Sequence, residues 1–162
     1  PKPYRDLAER AITAAEQPAA GYVPERRYLY GARYKVMTRC GDPAEKIAAL
    51  LTEYRGSDVF GSSLNNDAWY MVTQGYSMGR FDALALAQVE EMLRIEGAGM
   101  SNGNKDTVAL VLFLNGRIED AATLQRVSAA ASNGDPEYVG RLTRFENALA
   151  ERRAAAKALP PK

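Results

Sequence analysis

The chain contains few side chains suited to catalysis or metal binding. Of its 162 residues none is histidine and one is cysteine, Cys40. Histidine-dependent catalytic triads, histidine metal sites, Cys-x-x-Cys redox pairs and disulfides within the chain are therefore excluded by counting. Cys40 also stands at the end of a predicted helix, where the negative end of the helix dipole disfavours a reactive thiolate. We expect a small, buried, unreactive thiol.

Two further patterns carry residue types found in active sites. The adjacent carboxylates at 90–91 and 119–120 suit acid–base chemistry, but neighbouring residues on a helix point in different directions, so solvated helix faces explain them better. The glycines between 97 and 103 superficially resemble a phosphate-binding loop. No predicted strand precedes them and no Gly-Lys-Ser/Thr follows, so we expect a connector there.

One segment combines cations with aromatic rings, the combination that single-stranded RNA recognition uses. Its members are Arg26, Arg27, Arg33, Lys35 and Arg39, interleaved with Tyr28, Tyr30 and Tyr34. Arginine and tyrosine are also enriched at protein interfaces. With 21 basic and 20 acidic residues the chain is nearly neutral, which favours the protein interface and leaves nucleic acid as the alternative.

Helical periodicity, by contrast, runs through almost the whole chain, and strand patterns are nearly absent. Residues 4–16 carry apolar or small side chains at spacings of three and four, which predicts a buried stripe. The stripe consists of Leu7, Ala8, Ala11, Ile12 and Ala15. This helix is expected to stop before Pro18, and helical periodicity resumes at Arg27 after a linker.

Three glycines mark evenly spaced turns between the later helices. Gly41, Gly79 and Gly116 are 38 and 37 residues apart. One helical hairpin per period of this length is typical of an α-solenoid, in which each hairpin buries its apolar face against the next. Chance spacing among 13 glycines is the alternative.

The sequence predicts a single all-α domain over residues 1–162, an α-solenoid of about three antiparallel helical hairpins with a helix at each end. Its predicted parts are an N-terminal helix over 1–17, hairpins over 27–55, 67–96 and 105–132, and a C-terminal capping helix over 136–158.

Two stretches resemble the tetratricopeptide repeat (TPR). Residues 68–83 (AWYMVTQGYSMGRFDA) place an aromatic residue, a small residue and a tyrosine on a first helix before a Gly-x-aromatic-acid turn. Residues 108–122 (VALVLFLNGRIEDAA) match best at the turn, where Gly116 permits a tight bend and Ala121 leaves room for Ile118. The resemblance covers roughly residues 27–132. It implies a superhelix whose first helices line a groove for an extended peptide or a partner helix, without catalytic machinery of its own.

Carried onto this sequence, the resemblance implies a set of partner-binding residues on the first helices. They are Lys35, Thr38, Tyr70, Gln74, Ser77, Asp106, Leu110 and Phe113. Such mixed polar and aromatic groups suit recognition of backbone amides and apolar side chains. For Leu110 and Phe113 a core position is the alternative, because residues 108–114 are apolar all round and need cover on more than one side.

The size and layout also resemble class II chaperones of type III secretion. These are short proteins with an N-terminal helix, three such hairpins and a closing helix, and they hold translocator proteins before export. The connectors at 56–66 and 97–104 are longer than the spacing of that family.

We therefore expect a non-catalytic protein-binding adaptor or chaperone, without cofactor or metal and without a transmembrane segment. A single unpaired thiol and a start that lacks a signal-peptide pattern favour the cytoplasm. An acidic middle (net −4 over 57–100) between basic ends (+3 and +2) makes a homo-oligomer a further option. The alternatives are a structural subunit of a larger assembly, such as a virion, a secretion machine or a membrane-associated complex, and a small histidine-free enzyme.

Overall fold

The computed structural model of the chain describes residues 2–19, 23–57, 60, 64–74 and 82–158, and these ranges contain helices and turns but no strand. The all-α prediction is confirmed. The helices are α1 (Lys2–Ala19), α2 (Val23–Cys40), α3 (Ala44–Gly56), α4 (Leu64–Thr73), α5 (Asp82–Glu96), α6 (Asn102–Leu114), α7 (Ile118–Ala130) and α8 (Pro136–Ala158), with one 3-10 turn at Gly97–Gly99.

Two of the three predicted glycine turns lie in these ranges, and both have the geometry that requires glycine. Gly41 and Gly116 adopt φ values of +68° and +78°. After α6, the N–H of Arg117 donates to Leu112 O at 2.9 Å and that of Gly116 to Phe113 O at 3.0 Å. This is a Schellman motif, in which a left-handed residue closes the last helical turn. The same pair of bonds follows α2, whereas Gly79 lies outside the described residues.

Several helix boundaries differ from the predicted ones. α1 continues through Pro18 to Ala19, because a proline in the last turn removes only one hydrogen bond from the helix. α2 begins at Val23 rather than Arg27, since a proline is tolerated in a first turn, where N–H groups have no helical partner. α4 ends at Thr73, and the predicted continuation over 75–78 lies outside the described residues.

The predicted connector at 97–104 is partly helical. α6 already begins at Asn102, because the Ser101 hydroxyl accepts the N–H of Asn104 at 3.1 Å and so caps the helix. α8 spans Pro136–Ala158, the range predicted for the C-terminal helix.

The predicted buried stripe of α1 is wrong at two positions. Ile12 is buried, but Leu7 is 63% exposed and Ala11 is also exposed. The reason lies in two ion pairs, Arg5 with Asp42 and Glu16 with Arg33, which hold opposite ends of α1. They set the rotation of α1 about its axis, so that its inner face follows residues 5, 8, 12 and 15–16.

The chain divides into two compact units, residues 1–88 and 89–162. In the first unit α1 packs on α2 and α2 on α3. Its aromatic cluster is centred on the fully buried Tyr54, whose ring lies 5.0 Å from that of Tyr30 and 5.3 Å from that of Phe60. Gln88 donates a hydrogen bond to the Tyr54 hydroxyl. The organisation as one domain stays a prediction.

The second unit is built on α6, α7 and α8. α7 runs antiparallel to α8, since Arg126 pairs with Glu146 at 2.8 Å and Arg153 with Glu119 at 2.9 Å. α6 packs against both other helices, and residues 106–112 of α6 are all buried. The apolar run over 108–114 is therefore packed against two helices, α7 and α8, as its apolar character on all sides requires. α6 and α7 form a helical hairpin closed by α8, and the stack of three repeats stays a prediction.

In the part of the chain that the structure describes, no helix combines the length and the apolar character needed to cross a membrane.

Gly116 and Gly140 provide a matched test of the turn geometry, since a Cβ added at either position meets no atom within 4 Å. Gly116→Ala should lower the free energy of unfolding by about 1 kcal/mol, because a left-handed conformation is unfavourable for alanine. Gly140 lies inside α8 with ordinary helical geometry, so Gly140→Ala should raise the free energy of unfolding by roughly 0.5–1 kcal/mol. Urea denaturation followed by circular dichroism measures both. Equal changes in the free energy of unfolding for the two substitutions would contradict the left-handed turn at Gly116.

Candidate functional site

The predicted partner-binding residues of the first unit lie mostly at its surface. Tyr70 on α4 is 56% exposed, and Thr38 on α2 is exposed, although its hydroxyl donates to the carbonyl of Tyr34 at 2.9 Å. Lys35 and Gln74 are half-buried, and Ser77 lies outside the described residues. These positions are compatible with contact to a partner, and their role stays a prediction.

Asp106, the first predicted binding residue of the second unit, lies inside the unit instead of facing a groove. It is 4% exposed. The side-chain amide of Gln125, on α7, donates to Asp106 Oδ1 at 2.7 Å. Arg141, on α8, binds both carboxylate oxygens: its Nε lies 2.9 Å from Oδ1 and a terminal nitrogen lies 2.8 Å from Oδ2. We call these three residues the Asp106 clasp. The expected groove position of Asp106 is corrected, because its oxygens are used to join three helices.

The other two predicted residues of α6 occupy different environments. Leu110 is 8% exposed, which agrees with the core alternative. Phe113 is only partly buried, and its ring stacks on that of Phe145 of α8 with the centroids 4.3 Å apart and the planes 16° apart. Phe113 is therefore both anchored by the core and accessible from outside.

An arginine that the sequence analysis missed completes this part of the surface. The guanidinium carbon of Arg144, on α8, lies 5.1 Å from the centre of the Phe113 ring, and the residue is exposed. Stacking on an aromatic face holds a guanidinium in a defined orientation while its N–H edge stays available. The sequence signal was weak, because only the pairing of α6 with α8 brings residues 113 and 144 together.

Gly140 lies one helical turn before Arg144 on the same face of α8. It is exposed, and the space around its Cα is open. A glycine inside a helix costs about 1 kcal/mol relative to alanine, and none of the described residues packs against this position to compensate for it. We define Phe113, Gly140 and Arg144 as the Phe113–Arg144 surface.

Acidic side chains border this surface on α8. Glu137 and Glu151 stand seven residues before and after Arg144 and are exposed, and seven residues correspond to about two helical turns. The charge along this face of α8 is therefore positive at Arg144 and negative at Glu151, while Glu137 is balanced by Arg141 at 3.7 Å.

A separate cavity of about 310 Å³ lies between α1, α2 and α3 in the first unit. Its carboxylates, which an acid–base enzyme would need free, are paired: Asp42 and Glu9 with Arg5, and Glu16 with Arg33. The hydrogen bond to Asp42 also raises the pKa of the Arg5 guanidinium. The cavity thus offers no free pair of carboxylates for proton transfer.

Three residues of the basic and aromatic segment on α2 make contacts within their own unit. Arg33 pairs with Glu16 and Glu53, and the Tyr30 hydroxyl donates to Glu53 at 3.1 Å. Burial raises the pKa of the Tyr30 phenol. The guanidinium of Arg39 lies over the ring of Tyr4 at 5.5 Å. Arg33 is thus paired with carboxylates and the Tyr30 hydroxyl is engaged, whereas the exposed Arg39 keeps its N–H edge available.

Two further features bear on chemistry. Cys40 is a free thiol and is partly buried. Within the described ranges no group of three or more potential ligand side chains is placed to hold a metal ion.

No protein-family model, no curated protein and no solved structure matches the chain. The TPR and chaperone resemblances therefore stay predictions.

The Asp106 clasp makes a prediction about stability. Arg141→Ala should lower the free energy of unfolding by about 3 kcal/mol, because it leaves the buried Asp106 carboxylate without its cation. Asp106→Ala should cost less, because Arg141 is only half-buried and keeps Glu137 at 3.7 Å. The double variant should lose clearly less than the sum of the two, since both single changes break the same interaction. Urea denaturation measures all three variants.

The control is Arg126→Ala, which removes the pair with Glu146, both of whose side chains are more than 40% exposed. Its loss should stay below about 1 kcal/mol. Additive losses at residues 106 and 141 would show that the clasp is not a coupled unit.

Proposed function

We propose that the chain is a non-catalytic protein-binding module of the adaptor or chaperone kind, and that the Phe113–Arg144 surface is its contact site in the second unit. The observation that carries the proposal is the exposed Arg144 guanidinium, held over an aromatic ring that is itself fixed by stacking. Arginine and aromatic residues are the types most enriched among residues that dominate binding energy at protein interfaces.

The rigidity of this surface supports the same function. Phe113 is held by Phe145, and the helices that carry the two rings are joined by the Asp106 clasp. A side chain whose orientation is already fixed loses little conformational entropy when a partner binds, so more of its contact energy contributes to affinity.

The TPR resemblance agrees with the position of the surface. Phe113 lies on α6, the first helix of the third predicted hairpin, and it is one of the residues for which the resemblance implied partner contact. In the first unit, the exposed Tyr70 is the corresponding candidate. The single thiol Cys40 is consistent with a reducing compartment, and the cytoplasm is the proposed location.

The test is capture of partners from a lysate of the cells that produce the protein, with the full chain immobilised and bound proteins quantified by mass spectrometry. Arg144→Gln should reduce the specifically captured proteins by about tenfold, because it removes a charged anchor at the centre of the contact. Phe113→Ala should reduce them similarly. Tyr70→Ala tests the candidate of the first unit separately.

The matched control is Arg126→Gln, another exposed arginine of the second unit, which should leave capture unchanged. Circular dichroism should show that Arg144→Gln remains folded, since its side chain is exposed. Equal capture by wild type and Arg144→Gln would contradict the proposed site. A purified chain that aggregates or forms large assemblies alone would favour the obligate structural subunit.

A further inference from the structure

We infer that the Phe113–Arg144 surface binds one side-chain carboxylate of a partner protein, in a segment whose neighbouring residues are uncharged or basic. The inference rests on the proposed function and specifies the chemistry of the partner. It follows from three properties of the surface, which are the unused donors of Arg144, the acidic borders of α8 and the open space at Gly140.

Among the residues that the structure describes, none accepts a hydrogen bond from Arg144. Every other arginine of residues 102–158 has an oxygen partner in the structure: Arg117 with Asp120, Arg126 with Glu146, Arg141 with Asp106, Arg152 with the carbonyl of Gly116, and Arg153 with Glu119. Arg144 contacts the Phe113 ring and has no hydrogen bond or ion pair to any residue that the structure describes.

A guanidinium that lies over a ring and has no acceptor among the described residues is suited to bind a carboxylate. Its planar set of N–H donors binds both oxygens of one carboxylate, and stacking on a ring leaves those donors at the edge of the plane. The clasp shows the same geometry inside the unit, where Arg141 grips both oxygens of Asp106. A partner carboxylate would give Arg144 the kind of acceptor that Arg141 already has.

The borders of the surface limit the charge of the partner. Glu137 and Glu151 lie about two turns to either side of Arg144 on α8. Glu137 pairs with Arg141 at 3.7 Å, so that end adds no net positive charge, and Glu151 repels an anion at the other end. A single acidic residue between uncharged or basic residues therefore meets a more favourable charge than a continuous polyanion such as a nucleic acid. The nearly neutral chain, with a formal net charge of +1, agrees with this choice.

The open space at Gly140 allows the backbone of a partner to pack closely on α8. A helical glycine is less favourable than alanine, and no residue in the described part of the chain fills the space that a Cβ would take. A backbone that packs closely on α8 beside Arg144 uses this space, which is a recognised role of glycine at contact surfaces. Gly103, in the first turn of α6, is also exposed and open and serves as a control position.

The experiment is selection of binding peptides from a random peptide library displayed on phage, with the full-length chain as bait. Peptides that carry one Asp or Glu between non-acidic residues are expected. The affinity of a selected peptide, made synthetically, for the full-length chain should fall about tenfold when Arg144 is replaced by glutamine. Replacing the acidic residue of the peptide by its amide should cause a similar loss, and the two changes together should cost little more than one.

Two matched pairs of variants locate the contact. Gly140→Leu should abolish binding while Gly103→Leu leaves it intact, and Arg126→Gln should bind like wild type. A mixed-sequence single-stranded RNA should not compete with the peptide, and competition by the RNA would overturn the choice of a protein partner.

The outcomes separate this inference from the proposed function. Selected peptides that depend on Phe113 and Gly140 but lack an acidic residue would overturn the carboxylate, and peptides that carry acidic runs would overturn the restriction to a single one. Both results would leave the proposed binding function standing. Failure to select any peptide, or peptides that bind all surface variants equally, would overturn both.

Discussion

The architecture of the second unit depends on one buried carboxylate. Asp106 lies in the buried part of α6, directly before its apolar run over 108–114, and a buried carboxylate is tolerated there only if its oxygens are satisfied. α7 supplies Gln125 and α8 supplies Arg141, so the same group fixes the position of both helices along α6. Hydrophobic burial brings the three helices together, but it is non-directional and sets no register. The clasp supplies that register.

The candidate site follows from this register. Two helical turns after Asp106, α6 presents Phe113, and one turn after Arg141, α8 presents Phe145 and Arg144. The two phenylalanines stack, and the arginine lies over the outer ring. A buried ionic contact thus positions an exposed cation whose donors remain available, and the function we propose uses that cation.

Features set within a few residues of the chain were predictable from the sequence, and features that depend on contacts between helices were not. The turn at Gly116 and the range of α8 follow from glycine conformation and helix signals, which act over a few residues. The rotation of α1 did not, because ion pairs with α2 and the following turn override its apolar spacing. Asp106 looked like a surface residue for a similar reason, since its burial depends on Arg141, 35 residues later. Phe113 was predicted as a candidate from the sequence and its role stays a prediction, whereas Arg144 could be recognised only from the contact between α6 and α8.

The most direct measurement of the central claim is hydrogen–deuterium exchange of the full chain, free and bound to a captured partner. If the Phe113–Arg144 surface is the contact site, amide protection on binding should concentrate at the end of α6 and in α8 around Gly140 and Arg144. Protection confined to other helices, with these two segments unchanged, would contradict the account.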